Sequence, residues 1–94
     1  MKIVWLRRAL QDYDDILNWL DNHRSRASTL ISQRIDRSVD DLLDFPLIGR
    51  PGRVPGTREL VVLRTPYIVA YRIAGHDIEI LAVLHGARRW PESL

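Results

Sequence analysis

A short segment near the C-terminus carries the residue types best suited to chemistry. His85-Gly86-Ala87-Arg88-Arg89-Trp90-Pro91 places an imidazole, two guanidiniums and an indole within six residues. An imidazole beside fixed positive charge suits RNA cleavage, with His as general acid or base and Arg holding the phosphate. The same side chains suit a docking tip, because Arg and Trp are frequent interface anchors. A third interpretation is a strand end whose Trp90 tucks against the core and whose arginines are solvated.

A second basic group, Arg58, Arg64 and Arg72, precedes this segment. Side chains alternate between the two faces of a strand. One face of the run 67–73 therefore carries Tyr67, Val69, Tyr71 and Ile73, and Arg72 lies on the other. If helices cover the first face, Arg72 emerges on an open face of the sheet beside the C-terminal tip. That open face is then a positive surface, unless the arginines are solvated singly along exposed strands.

Other reactive groups are absent or scattered. The chain has no cysteine, which removes thiol catalysis, disulfides and cysteine-ligated zinc. Its three histidines are widely spaced, whereas a metal site needs three or four converging ligands, so we predict no metal. The glycines at 49, 52 and 56 lie in a proline-interrupted stretch and fit no nucleotide-binding motif. We therefore predict no cofactor.

The spacing of apolar residues predicts the elements that position these groups. Residues 2–6 predict a strand. Two amphipathic helices follow, the first from Arg8 and the second ending at Pro46. A Pro/Gly-rich loop over 46–56 leads to three strands over 57–63, 67–73 and 77–84, joined by short turns that imply antiparallel neighbours. The predicted fold is α+β: an N-terminal strand, an antiparallel two-helix hairpin and a three-stranded antiparallel meander, with the helices packed on one face of the sheet.

Three large apolar residues, Trp19, Leu30 and Leu43, lie off the main stripes of the helices. Side chains at the edge of a stripe either widen the core or form an exposed patch that another chain covers. Both interpretations are open from the sequence.

Length and composition limit the class of protein. The 94 residues, 46% hydrophobic and 28% charged, predict one folded domain over 1–94. The longest apolar run, 80–84, is far shorter than the roughly 20 residues of a membrane span, and Arg7-Arg8 interrupts any leader-like start. We therefore expect a small cytoplasmic protein. Seven basic and eight acidic residues precede Pro46, and seven basic and four acidic residues follow from it, so the C-terminal half is basic and suits an anionic partner.

The order of the elements resembles the ParE/RelE toxin family of bacterial type II toxin–antitoxin systems. Three blocks carry the resemblance: Arg53-Val54-Pro55-Gly56-Thr57-Arg58-Glu59-Leu60, Tyr67-Ile68-Val69-Ala70-Tyr71-Arg72-Ile73, and Ile78-Glu79-Ile80-Leu81-Ala82-Val83-Leu84-His85-Gly86-Ala87-Arg88-Arg89-Trp90-Pro91. The similarity covers essentially the whole chain, and the three blocks are specific only together.

The resemblance implies a toxin that a cognate antitoxin neutralises, ParD-like or similar and usually encoded beside it. In this family an antitoxin segment wraps around the toxin, contacts the helical hairpin and the sheet, and becomes ordered on binding. Under the resemblance, Trp19, Leu30 and Leu43 are candidate antitoxin contacts in a toxin–antitoxin hetero-oligomer.

Two activities divide the family. RelE-like members cut messenger RNA on the ribosome with basic residues on the middle strands, and ParE-like members are described as inhibiting DNA gyrase by binding. Here the first meander strand reads Leu60-Val61-Val62-Leu63, and Ile68 replaces the arginine expected after Tyr67. Because an apolar side chain cannot stabilise a developing phosphorane charge, the resemblance favours the ParE-like branch.

The favoured interpretation is a non-enzymatic gyrase inhibitor that arrests growth and stabilises plasmids. Its target-binding residues are expected to be Arg58, Arg64, Arg72, Arg88, Arg89 and Trp90. The alternative is a ribosome-dependent endoribonuclease with His85 as acid or base and Arg64, Arg72 and Arg88 on the phosphate. An inactive member kept for antitoxin binding is a third possibility.

Overall fold

Two helices follow the first strand along the chain and precede the other four strands. The computed structural model describes residues 1–87, 91 and 94. The elements are β1 Lys2–Trp5, α1 Arg7–His23, α2 Ser25–Asp41, β2 Arg50–Pro51, β3 Arg58–Val61, β4 Tyr67–Ala74 and β5 Asp77–His85. The strands form one sheet in the order β1-β5-β4-β3-β2. The predicted α+β architecture is confirmed. Neither described helix has the length and apolarity that a bilayer crossing requires.

The antiparallel pair β4–β5 forms the centre of the molecule and is apolar on both faces. Towards the helices, Tyr67, Val69 and Tyr71 belong to the main core cluster, as predicted. Two further residues of that cluster, Ile35 and Val39, come from α2 and are almost fully buried. The helical stripe therefore packs on the β4–β5 pair.

The opposite face of the sheet is not open, so the prediction of an open positive face is wrong. Ala70, Leu81 and Ala82 are buried there, and Leu6, Leu84 and Leu94 pack against them. Arg72 does emerge on this side of the sheet, but only at its margin. Ile73, expected to face the helices, is 37% exposed and lies outside the described core clusters.

A β-bulge adjusts which side chains of β5 reach the helices. Tyr71 pairs with Ile80 and Ala70 with Ala82, so Leu81 is an extra residue in β5. Strict alternation would place residues 80 and 83 on opposite faces. The bulge lets both Ile80 and Val83 join the helix-side core, at the cost of one irregular step in the ladder.

Strand β1 takes the free edge of β5 in parallel register, with Ile3 opposite Ile78 and Trp5 opposite Ile80. After Trp5 the chain turns into α1, so the second half of β5 has no strand on that side. Buried backbone N–H groups need an acceptor, and Asp12 on α1 supplies one. Its carboxylate accepts the Val83 N–H at 3.0 Å, so α1 takes over from β1 as the neighbour of β5.

The connection between α2 and the sheet departs from the prediction. The helix ends at Asp41 rather than at Pro46, because the next turn tightens: the Leu42 and Leu43 N–H groups donate to carbonyls three residues earlier instead of four. The expected loop over 46–56 also contains β2, which pairs Arg50 with Glu59 and Pro51 with Arg58. Two residues, one of them proline, give almost no strand signal in a sequence.

The Tyr71 hydroxyl fixes this connection to the sheet. It donates to the Pro46 carbonyl at 2.8 Å and accepts the Gly49 N–H at 2.9 Å. A Cβ on Gly49 would lie 2.6 Å from the Tyr71 ring and hydroxyl, so only glycine allows this approach. Arg58 adds a second tie, because its Nη1 donates to the Gly49 carbonyl at 2.8 Å and the Leu47 carbonyl at 3.3 Å.

Replacing Tyr71 by Phe tests the importance of this hydroxyl. We expect Tyr71→Phe to lower the free energy of unfolding by about 1–3 kcal/mol, because it leaves a buried donor and acceptor unpaired. Tyr67→Phe is the matched control, since the Tyr67 hydroxyl has no hydrogen-bond partner among the described residues, and should change stability by less than about 0.5 kcal/mol. Urea unfolding followed by circular dichroism measures both. Equal losses in the two variants would contradict the role assigned to Tyr71.

Candidate functional site

The three central arginines proposed for target binding occupy very different surroundings. Arg72 forms an ion pair with Glu79, with 2.6 Å between Nε and Oε1. The guanidinium of Arg58 donates hydrogen bonds to the backbone carbonyls of residues 47 and 49. The Arg64 side chain is exposed and contacts neither a carboxylate nor a backbone carbonyl within the described part of the chain. Arg64 is therefore the member of this group best placed to meet another molecule.

Arg64 is displayed by a strained turn between β3 and β4. Its φ of 62° lies in the left-handed region, which a non-glycine residue adopts only when its surroundings impose it. Its carbonyl accepts a 3.0 Å hydrogen bond from Arg34 Nη1 on α2. The turn is thus attached to the helical layer, and two arginines converge there. The other predicted target contacts, Arg88, Arg89 and Trp90, lie outside the described residues.

His85 lies half-buried at the end of β5, on the helix side of the sheet. Its ring meets Tyr67 edge-on, with the centroids 5.6 Å apart, and its Nδ1 accepts the Ala87 N–H at 3.1 Å. This bond needs an unprotonated Nδ1, so the neutral ring carries its proton on Nε2.

The residues of the predicted cleavage set are not brought together. Tyr67 pairs with His85, and Arg72 pairs with Glu79, at opposite ends of the β4–β5 hairpin. Along β4, five residue steps separate Tyr67 from Arg72, a span of about 17 Å. The Arg72 and His85 side chains also lie on opposite faces. Only Arg64 shares an end of the sheet with His85, and Arg88 is outside the described residues.

A groove of about 610 Å³ opens where β1 has ended, between the helices and the end of the β4–β5 pair. Its lining includes the apolar residues Ile16, Leu20, Ile31, Tyr67 and Val83. Charged and aromatic residues, among them Asp12, Asp15, Trp19, Arg24 and His85, complete it. Trp19 is 47% exposed and stacks on the His23 ring at 4.4 Å between centroids. An apolar groove of this kind suits a segment of another protein chain.

The three proposed antitoxin contacts do not form one surface. Trp19 lines the groove, whereas Leu30 is exposed on α2 outside it. Leu43 follows the other end of α2, about 20 Å further along the helix axis at 1.5 Å per residue.

The helical hairpin itself is held by Tyr13, whose hydroxyl donates to Asp36 Oδ1 at 2.7 Å. Burial raises the pKa of Tyr13 to about 12, so this tie does not titrate in the physiological range.

Sequence reasoning missed an exposed apolar loop after α2. Phe45, Leu47 and Ile48 are 62%, 63% and 56% exposed, and they continue from Leu43. Their backbone is the segment that Tyr71 and Arg58 fix to the sheet. The available signal was the set of large apolar residues on both sides of Pro46 within a predicted loop.

Within the described ranges, no three histidine, cysteine or acidic side chains cluster closely enough to hold a metal ion.

The groove contains one carboxyl group with a shifted pKa, that of Asp12. Burial raises the pKa of Asp12 above 3.8, opposed by the hydrogen bond from the Val83 N–H and by Arg8, 3.6 Å away. The main role of this carboxylate is to accept the hydrogen bond from the Val83 N–H.

The raised pKa of Asp12 has a stability consequence with a definite sign. The folded chain holds this proton more tightly than the unfolded chain, so the contribution of Asp12 to stability falls as pH rises from 3.8 through its raised pKa. Asp12→Asn retains an acceptor oxygen and removes the titration. We expect the stability of wild type relative to Asp12→Asn to fall across this pH window in urea unfolding series. Asp14→Asn, at an exposed position of the same helix, is the control. A constant difference between wild type and Asp12→Asn would contradict the assignment.

Comparison with known proteins gives consistent matches over almost the entire chain. The family model described as "ParE toxin of type II toxin-antitoxin system, parDE" matches residues 3–90. A protein of Sinorhizobium fredii named "Putative toxin Y4kP" is 42% identical over 93 residues, which are 99% of this chain and 96% of that protein. "Toxin RelE2" of Caulobacter vibrioides is 31% identical, over 93% of this chain and 97% of its own length.

A solved structure agrees with these matches. The structure titled "Chromosomal ParDE TA system from P. aeruginosa" superposes with a TM-score of 0.81 and 30% identity. The alignment covers 90% of this chain and 95% of the other. The helical hairpin and the sheet described above are therefore shared with that structure.

Proposed function

Because this chain belongs to the ParE toxin family of type II toxin–antitoxin systems, we propose that it inhibits DNA gyrase by binding to it. A cognate antitoxin, ParD-like or similar, forms a hetero-oligomer with the toxin and neutralises it. Free toxin arrests growth, and the pair stabilises the replicon that encodes it. Gyrase acts on chromosomal and plasmid DNA, so the proposal places the toxin in the cytoplasm.

The separation of His85 from Arg72 is the observation that most favours binding over cleavage. RNA cleavage requires the proton-transfer group and the phosphate-binding cations around one reacting phosphate. Here His85 and Arg72 lie on opposite faces and about 17 Å apart along the hairpin. Arg72 is also neutralised by Glu79. These features support an inhibitor that acts through its surface.

The proposed target surface centres on Arg64. Arg88, Arg89 and Trp90, which lie outside the described residues, are proposed as further target contacts. Arg58 and Arg72 have partners within the chain, so their part is to shape the neighbouring loop and sheet margin. The ribosome-dependent endoribonuclease remains the second candidate, because a relative with 31% identity carries the name Toxin RelE2 and because Arg64 and His85 share one end of the sheet.

A gyrase reaction on plasmid DNA tests the proposal directly. Purified toxin should convert supercoiled plasmid to linear, gyrase-linked DNA, and added antitoxin should reverse the effect. Arg64→Ala should weaken the inhibition by about tenfold or more, as for the loss of one interface anchor. Arg26→Ala is the matched control, because Arg26 is an exposed arginine on α2. Agarose gels with and without protease digestion distinguish linear from protein-linked DNA.

A His85→Ala variant separates the two candidate functions. Full growth arrest by this variant is expected for a gyrase inhibitor. Normal supercoiling by gyrase at high toxin concentration, together with loss of arrest in His85→Ala and cleaved messenger RNA on ribosomes, would establish the endoribonuclease instead. Normal supercoiling and intact messenger RNA with wild-type toxin would identify an inactive member.

The groove is the proposed antitoxin site, with Trp19 as its anchor. The apolar lining and a half-exposed indole at the rim match the features of a hot spot that a partner chain desolvates. Leu30 lies on the adjacent helix surface, and Leu43 belongs to a separate region. We therefore propose that Trp19 contributes most among the three predicted contacts.

Substitution of Trp19 checks this assignment. Trp19→Ala should raise the dissociation constant of the antitoxin about thirtyfold, equivalent to about 2 kcal/mol for a buried aromatic anchor. Leu10→Ala is the matched control, because Leu10 is a similarly exposed residue of α1, 54% accessible, that does not line the groove. Calorimetric titration measures both affinities. If the two variants bind equally well, the groove is not the antitoxin site.

A further inference from the structure

The segment that follows α2 exposes large apolar side chains close together. Phe45, Leu47 and Ile48 are 62%, 63% and 56% exposed, and Leu43 just before them is 45% exposed. Single apolar residues are ordinary on a protein surface, whereas a contiguous group of them marks a contact with another molecule. Residues 43–48 are called the apolar loop below.

The backbone of the apolar loop is fixed although its side chains are exposed. The Phe45 N–H donates to the Asp41 carbonyl at 2.9 Å, and the Ile48 N–H donates to the Phe45 carbonyl at 3.1 Å. The Tyr71 hydroxyl and the Arg58 guanidinium donate to the carbonyls of residues 46, 47 and 49. A surface held in this way loses little backbone freedom when it binds. The loop is therefore preorganised for a contact.

Carboxylates collect at the helix end of the apolar loop. Asp40, Asp41 and Asp44 are exposed, and their side chains have no ion pair or hydrogen bond within the described ranges. The last turn of α2 contains no basic residue. Because the C-terminal end of a helix carries partial negative charge, it does not offset these carboxylates but adds to them. This end of the loop therefore favours cations from another molecule.

Arginines collect at the opposite end of the loop, where the chain reaches the sheet. Arg50 begins β2, and its side chain stays 56% exposed beside Glu59. Arg53 is exposed as well, and Arg58 lies against the loop carbonyls. Glu59 balances one of these three charges, so this end is positive. The apolar loop thus separates a negative end on the helical layer from a positive end on the sheet.

This order of charges is self-complementary. In a dimer with two-fold symmetry, the same patch on both copies meets itself in the reverse direction. The negative end of one apolar loop then lies against the positive end of the other, and the apolar side chains meet between them. An apolar centre with a charged rim is the usual composition of a protein interface, and complementary charge fixes its register.

The apolar loop is separate from the groove proposed for the antitoxin. None of residues 43–48 belongs to the groove lining, which takes Ala27 and Ile31 from the other half of α2. A chain bound in the groove therefore does not need the apolar loop. Two copies can pair through their loops whether or not each groove is occupied.

We propose that the apolar loop is a self-association surface, through which a second copy of this chain forms a two-fold symmetric dimer. Phe45, Leu47 and Ile48 form the centre of the contact, and Asp44 of each copy faces the basic end at Arg50 of the other. The inference depends neither on the antitoxin nor on the target of the toxin. It gives a partner to the exposed side chains and to the carboxylates at the end of α2.

Sedimentation of the purified full-length chain over a wide range of concentration tests the proposal. The average mass should rise from the 10.9 kDa of the monomer to twice that value and stop there. Phe45→Ser should raise the dissociation constant of the dimer at least about tenfold, as for the loss of a central anchor. Leu30→Ser is the matched control, because Leu30 is 46% exposed at the other end of α2, and it should leave the dimer unchanged. Both variants should keep the wild-type melting temperature.

A charge reversal tests the direction of pairing. Asp44→Arg brings like charges together across the two-fold axis, so it should raise the dissociation constant of the dimer at least about tenfold relative to Asp44→Asn. Asp21→Arg, at an exposed position in the last turn of α1, is the control and should have no effect. Equal dimer affinities for Asp44→Arg and Asp44→Asn would contradict the pairing of the negative end with the positive end.

Other results would overturn the proposal as a whole. A wild-type chain that stays monomeric at every concentration does not form the dimer, and a mass that grows past the dimer indicates a contact that does not close. A dimer that Phe45→Ser leaves intact uses another surface. If the wild type is monomeric and Phe45→Ser weakens antitoxin binding or gyrase inhibition, the apolar loop contacts that partner instead of a second copy.

Discussion

The burial of the β4–β5 pair on both of its faces is the constraint on which the rest of the molecule depends. Both strands carry apolar side chains on both sides, so each face must be covered and each edge must be paired. The helical hairpin covers one face, and Leu6, Leu84 and Leu94 pack on the other. Strands β1 and β3 take the two edges. No polar reacting group fits at such a centre without an unpaired buried charge, and the described candidates Arg64, Arg72 and His85 lie at its periphery.

Three local devices complete this arrangement where regular pairing fails. Asp12 accepts the Val83 N–H where β1 has ended, and the bulge at Leu81 turns both Ile80 and Val83 to the helices. The Tyr71 hydroxyl fixes the loop after α2. Two of these devices also adjoin surface features: the groove lies beside Asp12, and the exposed apolar loop is the segment that Tyr71 fixes. Core packing and candidate binding surfaces thus depend on the same residues.

The arginines show why a residue count overstates a positive surface. Arg58 donates hydrogen bonds to backbone carbonyls and Arg72 forms an ion pair with Glu79, so both guanidiniums have partners within the molecule. Arg50 likewise pairs with Glu59, a carboxylate that is only 3% exposed. Among the described residues near the sheet, Arg34 and Arg64 bring positive charge together at the turn between β3 and β4. The described surface therefore has a localised basic site near an apolar groove rather than a uniformly basic face.

The sequence by itself determined the order of the elements, the two helical stripes, and the face of β4 that carries Tyr67, Val69 and Tyr71. These follow from local periodicity, which each segment expresses without reference to the rest of the chain. Tertiary structure alone decided the parallel pairing of β1 with β5, the early end of α2 at Asp41, the existence of β2, and the covered rear face of the sheet. It also decided which arginines remain available and that His85 and Arg72 lie far apart. Those features depend on contacts between residues distant in sequence, such as Tyr71 with Gly49 and Asp12 with Val83, and local patterns carry no information about such contacts.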